Sequence, residues 1–94
     1  MKKKPELKID EYGNKRWFLN GKRHRIDGPA IEYADGDKYW YLNGQLHRTD
    51  GPAIEKKNGD KEWYLKGKPV KEEDVIDFNP IITEREYLEF VMSL

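Results

Sequence analysis

Apolar and polar positions along this chain alternate in short bursts, each cut off by a glycine or an Asn-Gly pair. Alternation over roughly 4–8 residues predicts half-buried β-strands rather than helices. Leu7 to Tyr12 is the first burst and reads as an edge strand ending at Gly13. Arg16 to Asn20, Ala30 to Ala34 and Asp37 to Leu42 follow. Asn20-Gly21 and Asn43-Gly44 predict two-residue type I′ hairpins, whose central residues both need positive φ, and Lys66-Gly67 is a weaker version. After each Asn-Gly a short return strand bears His-Arg, then reaches a corner at Asp27-Gly28-Pro29 or Asp50-Gly51-Pro52. Proline can begin a strand there but cannot sit inside a central one.

The pattern changes after Gly67. Lys71-Glu72-Glu73-Asp74 opens a short helix, with its acids at the positive end, and Asn79-Pro80 stops it. Thr83 to Glu86 fits a capping box, with Ile82 and Tyr87 as the staple of a final helix from Glu84 to about Met92. Tyr87, Leu88, Val91 and Leu94 form its apolar stripe.

The bursts are copies of one another. His24–Glu32 and His47–Glu55 share H-R-x-D-G-P-A-I-E at an offset of 23 residues. Trp17, Trp40 and Trp63 keep the same spacing, as do Leu19, Leu42 and Leu65. One supersecondary unit is used nearly three times, and such periodicity decides architecture before anything else. The predicted fold is therefore mainly β: an antiparallel meander of 23-residue β-hairpin repeats, some seven or eight strands, with two short C-terminal helices. Residues 1–94 form a single domain, divided into a flexible tail (1–5), a repeat sheet (6–68) and a helical cap (69–94).

If the Asp35-Gly36 turn also holds two residues, Ile31 lies opposite Trp40 and Ala30 opposite Tyr41, while Trp40 lies opposite His47. One face then collects Trp40, Leu42, Ile31 and His47 as the core, and the other carries Tyr39, Tyr41, Ala30 and Glu32. The first unit has one extra residue before Gly13, which predicts a bulge or an altered turn.

Composition narrows the function classes. Charged residues make up 38% of the chain and hydrophobic ones 36%, so a folded, shallow-cored domain is expected, held by its 13% aromatic residues. Eighteen basic and eighteen acidic residues cancel, giving no global field for nucleic acid or membrane. The absence of cysteine excludes disulfides and thiolate chemistry, as suits a reducing, cytoplasmic setting. Met1 to Pro5 is charged, with no apolar run behind it, and predicts a solvated tail rather than a signal peptide.

Tyr33-Ala34-Asp35-Gly36-Asp37 through Trp40-Tyr41-Leu42-Asn43-Gly44 to His47 resembles a MORN repeat, a β-hairpin unit of the same length with Tyr, Gly, Trp and Asn-Gly-x-x-His landmarks. The similarity is closer to a variant group of small phage and bacterial proteins, whose unit reads W-Y-x-N-G-x-x-H-R-x-D-G-P-A. Residues about 13 to 67 carry it. The resemblance implies protein–protein contacts. MORN repeats also bind acidic lipids, but this chain has His-Arg-x-Asp-Gly-Pro where they have H-G-x-G, which points away from lipid. A phage setting implies an accessory protein of the host cytoplasm, one that blocks a host enzyme or defence system.

Catalysis is hard to assemble from these residues. Ser93 is the only serine, and neither a phosphate loop nor zinc-ligand spacing occurs. The expectation is a protein that is not an enzyme and needs no cofactor or metal. His24, Arg25, His47 and Arg48 are the sharpest candidates. They read either as a ladder open to a phosphate, a nucleotide or an acidic protein surface, or as braces. In the second reading the arginines reach Asp27 and Asp50 while each histidine packs on Trp17 or Trp40. Phe18, Tyr41 and Tyr64 are a second candidate, three rings one repeat apart that are either core or an interaction patch. The function read from these features is non-catalytic binding of another protein through the repeat sheet, whose exposed face also offers a route to oligomers. The alternative is a sponge that sequesters a phosphorylated nucleotide through the Arg/His ladder.

Overall fold

The computed structural model describes residues 4–78. The expected Asn79-Pro80 stop, the capping box and the Glu84–Met92 helix lie outside the described residues. What is described is mainly β, an antiparallel sheet with little helix. Its strands are β1 (Glu6–Ile9), β2 (Lys15–Leu19), β3 (Lys22–Arg23), β4 (Ile31–Glu32), β5 (Lys38–Tyr39), β6 (Tyr41–Leu42), β7 (Gln45–Leu46), β8 (Ile54–Glu55), β9 (Lys61–Leu65) and β10 (Lys68–Val70). One short helix, α1 (Glu72–Phe78), follows. The sheet runs β1-β2-β4-β5-β8-β9-β10, with β3 paired to β2, and β6-β7 form a separate hairpin.

Both kinds of turn explain this register. Asn20, Asn43 and Lys66 have φ of 53°, 48° and 51°, each followed by a positive-φ glycine. Phe18 therefore pairs with Arg23, Tyr41 with Leu46 and Tyr64 with Pro69, as two-residue type I′ hairpins require. Lys66 adopts the left-handed conformation as the asparagines do, although lysine has no preference for it.

The Asp35-Gly36 turn is longer than the sequence suggests. Tyr33 N–H donates to Asp37 O and Gly36 N–H donates back to Tyr33 O, so the loop holds three residues. Ile31 consequently pairs with Tyr39 rather than Trp40, and Glu32 with Lys38. A one-residue change of register moves every side chain to the other face. One row now reads Lys8, Arg16, Ile31, Tyr39, Ile54, Glu62. The tryptophans sit with the alanines instead, Trp17 N–H donating to Ala30 O and Trp40 N–H to Ala53 O. The expected single Trp/Ile core is thereby corrected. Ala30 and Ala53 are buried in one row and Ile31 and Ile54 in the other, while the tryptophans are half-buried. A bulky indole faces a small alanine across the strand, so neither row needs a deep core.

Other boundaries also move. The turn before Gly13 has the same form as its later counterparts, Asp10 N–H to Asn14 O and Gly13 N–H to Asp10 O, so the expected bulge is absent. Asp10 accounts for this: its carboxylate accepts the Tyr12 and Asn14 N–H groups and holds the loop in register. The return strands stop at Arg23 and Leu46, one residue short of each histidine, and the expected Asp37–Leu42 strand is broken at Trp40. Val70 still belongs to the sheet, so the helical segment begins later than residue 69. At its start Asp74 accepts from Lys71 N–H, and Val75 is buried.

Gly36 (φ +111°) and Gly59 (φ +98°) close equivalent loops, but a Cβ on Gly36 would meet Lys57 Cβ at 3.4 Å, whereas Gly59 faces open space. Alanine at Gly59 should therefore cost about 1–2 kcal/mol through its backbone alone, and alanine at Gly36 should cost more. Urea denaturation of the two variants measures the difference.

Candidate functional site

Each H-R-x-D-G-P segment folds around its arginine. The Arg25 guanidinium lies over Trp17 with Cζ 3.9 Å from the ring centroid, and Arg48 lies over Trp40 at the same distance. Arg25 Nε donates to Asp27 Oδ1 at 3.0 Å and Nη1 to Pro29 O at 3.1 Å. Arg48 repeats both bonds, to Asp50 at 2.8 Å and Pro52 O at 3.0 Å. Glu32 and Glu55 add ion pairs at 3.5 and 3.6 Å.

The glycine of the motif follows from this packing. A Cβ on Gly51 would stand 2.8 Å from Arg48 Cζ and 3.1 Å from both Nε and Nη1, that is, on the face of the guanidinium. Gly28 would meet Arg25 in the same way, at 2.9 Å. Indole on one side and bare backbone on the other hold the planar cation between them. Cation–π stacking of this kind contributes roughly 0.5–2 kcal/mol, and charged hydrogen bonds add about 1.5–3 each.

The arginines lie on the tryptophans, and each histidine is the cross-strand neighbour of the same tryptophan, His24 N–H donating to Trp17 O and His47 N–H to Trp40 O. His24 and His47 are buried, and each Nδ1 accepts a backbone N–H from the next hairpin tip: Asn43 at 2.9 Å and Lys66 at 2.8 Å. The donors are the left-handed residues of the type I′ turns. An accepting Nδ1 requires a neutral ring with its proton on Nε2. Burial depresses the pKa of both rings. That of His47 falls to about 4, with the nearby Lys66 charge adding to burial.

Further bonds tie each hairpin to the one before. Arg25 N–H donates to Tyr41 O and Gly44 N–H to Arg23 O, and 23 residues later Arg48 N–H donates to Tyr64 O and Gly67 N–H to Leu46 O. At the opposite end of the strands, Asn14 Oδ1 accepts from Ala34 N–H and Asp37 Oδ1 from Lys57 N–H, both at 2.8 Å. Sequence reasoning missed Asn14 and Asp37. Their signal was an amide or carboxylate directly after Gly13 and Gly36, followed by Asp60 after Gly59.

Phe18, Tyr41 and Tyr64 are all half-buried. Lys8 Nζ sits 5.3 Å from the Phe18 ring centroid and Arg23 Cζ 5.6 Å from that of Tyr41, and Tyr64 pairs with Pro69 across its hairpin. In the third unit Val70 and Lys71 replace His-Arg, and Trp63 instead borders a cleft of about 320 Å³ shared with the Asp50–Pro52 corner and α1. Among the described residues no group of three or more His, Asp or Glu side chains is placed to hold a metal ion.

No family model matches the chain, and no curated protein or solved structure matches it either.

Arg48→Ala should lower stability by roughly 2–3 kcal/mol, and Gly51→Ala should lose a similar amount by displacing the guanidinium. Arg48→Lys should restore little, because a lysine lacks the planar fork. Thermal unfolding of the three variants tests this.

The histidines also set a pH dependence. His47 binds its proton less readily folded than unfolded, where a histidine titrates near 6.5. Its contribution is therefore fully present above pH 6.5 and is lost as pH falls through about 4, amounting to roughly 3 kcal/mol at that point. His47→Asn, which keeps an acceptor but does not titrate, should flatten stability across that window in urea titrations. Asp10 acts in a lower window. Burial would raise its pKa, but hydrogen bonds from Asn14, Arg16 and Tyr12 outweigh that and bring it to about 2. The stability it contributes fades only below the ordinary carboxylate range, as pH falls toward 2.

Proposed function

We propose that this chain is a non-catalytic protein-binding module of MORN-like type. In this reading it is an accessory protein of the phage kind, and it inhibits a host enzyme or defence component in the cytoplasm by direct contact. The repeat character rests on the 23-residue sequence period and on bonds that recur at that spacing, such as Arg25 N–H to Tyr41 O and Arg48 N–H to Tyr64 O.

One observation carries the choice of protein over nucleotide. The guanidiniums of Arg25 and Arg48 are engaged by indole, aspartate, a carbonyl and glutamate of their own chain, so phosphate would have to displace these partners. Phe18 and Tyr41, by contrast, remain half-exposed with Lys8 and Arg23 beside them. Aromatic rings and arginine are enriched at protein interfaces, and the cations beside these rings suit a partner surface that carries carboxylates.

Affinity capture from host lysate, followed by titration of the captured protein, tests the reading. Tyr41→Ala and Arg23→Ala should each weaken binding about tenfold or more while the far-UV spectrum is retained. Thermal unfolding against a nucleotide panel should show no shift. A concentration-dependent rise, of about 2.7 kcal/mol at a hundredfold excess over Kd, would instead favour the nucleotide sponge.

A further inference from the structure

The two ends of the sheet are finished differently. In β10 the paired residues Leu65 and Lys68 flank a two-residue turn, so Lys68 and Val70 direct their backbone groups toward β9 and Pro69 directs its own outward. A proline at the outward position has no N–H to offer, which closes that edge to a further strand. β1 has no such device within Glu6–Ile9, although Pro5 precedes it. Asp10 N–H donates to Asn14 O in β1's own turn, so alternation turns Glu6 and Lys8 toward β2 and leaves the N–H and C=O of Leu7 and Ile9 facing outward. Leu7 is 45% and Ile9 58% exposed.

The segment Lys4-Pro5-Glu6-Leu7-Lys8-Ile9-Asp10 is a charge palindrome of opposite sign about Leu7. Laid antiparallel against itself with Leu7 on the axis, it sets Glu6 opposite Lys8 in both directions and Lys4 opposite Asp10. Leu7 meets Leu7, and Ile9 meets Pro5. We infer that β1 pairs with β1 of a second copy about a two-fold axis through Leu7, making an isologous dimer with a sheet continuous across it.

The backbone fits this register. Leu7 N–H and C=O bond reciprocally to Leu7 of the second copy, and each Ile9 N–H donates to the Pro5 carbonyl opposite. Pro5 then ends the ladder where its nitrogen has nothing to donate. On one face the Leu7 pair is continuous with Trp17, its cross-strand neighbour. On the other, Lys8 stands beside Arg16 within its own chain, and Glu6 of the second copy offsets that like-charge contact. Asp10 is already bonded to Arg16 and Asn14, so Lys4 reaches a carboxylate held in place.

Sedimentation equilibrium of the full chain at low salt, from about 10 µM to 1 mM, tests the inference. The wild type should move from 11.2 kDa toward twice that mass. Glu6→Lys and Lys8→Glu should each weaken association about tenfold, since each replaces two attractive rungs by repulsive ones. An equimolar mixture of the two variants should restore it, because each then meets its complement. Leu7→Pro removes no N–H that faces β2, so it should keep the circular dichroism spectrum and stay monomeric. A wild type that remains at 11.2 kDa throughout, or a mixture no stronger than its components, overturns the proposal.

Discussion

The hairpin tips at Asn43 and Lys66 each present the N–H of a left-handed residue, and the imidazole that accepts it holds one hairpin on the next. His24 takes the N–H of Asn43 and His47 takes that of Lys66. Several strands here are only two residues long, and ladders that short cannot hold a sheet by themselves. Stability must come from groups that cross between hairpins. The imidazoles do so at one end of the strands, and Asn14 and Asp37 do so at the other. A neutral, buried acceptor is what the first position requires, and burial itself keeps the rings neutral.

The arginines complete the same construction within each unit. A guanidinium is planar, so it can lie on an indole and beneath a glycine at once while its edge bonds aspartate and a proline carbonyl. The H-R-x-D-G-P motif is thus one packed object, in which each letter has a neighbour that requires it. A group held on both faces and along its edge is poorly placed to receive a ligand. The proposed interaction surface falls instead on Phe18 and Tyr41, which share their neighbourhood with Lys8 and Arg23.

Much of this is legible in the sequence. The type I′ turns followed from Asn-Gly, and the hairpin at Lys66-Gly67 followed from its place in the period. Pairing of Arg25 with Asp27 and of Arg48 with Asp50 is one of the two readings that the sequence leaves open. The Asp35-Gly36 loop was not legible, because two- and three-residue loops both accept Asp-Gly and differ only in a bond between Tyr33 and Asp37. That single residue decided which face held Ile31. That the arginines also lie on the indoles was not legible for a related reason: histidine and arginine can both cover an indole, and local spacing does not say which one reaches it.

The sequence by itself determined the period, the antiparallel alternation and the turn positions, since these depend on local backbone preferences and on recurrence along the chain. Tertiary structure decided the register across the Asp35-Gly36 loop, the sharing of the core between two faces and the partner of each imidazole. The imidazole partners depend on groups about 20 residues apart, as His24 with Asn43, and so does the link of Asn14 with Ala34; no local pattern contains them. Burial then made the choice, because a polar atom removed from water must be satisfied by whichever group the fold brings within reach.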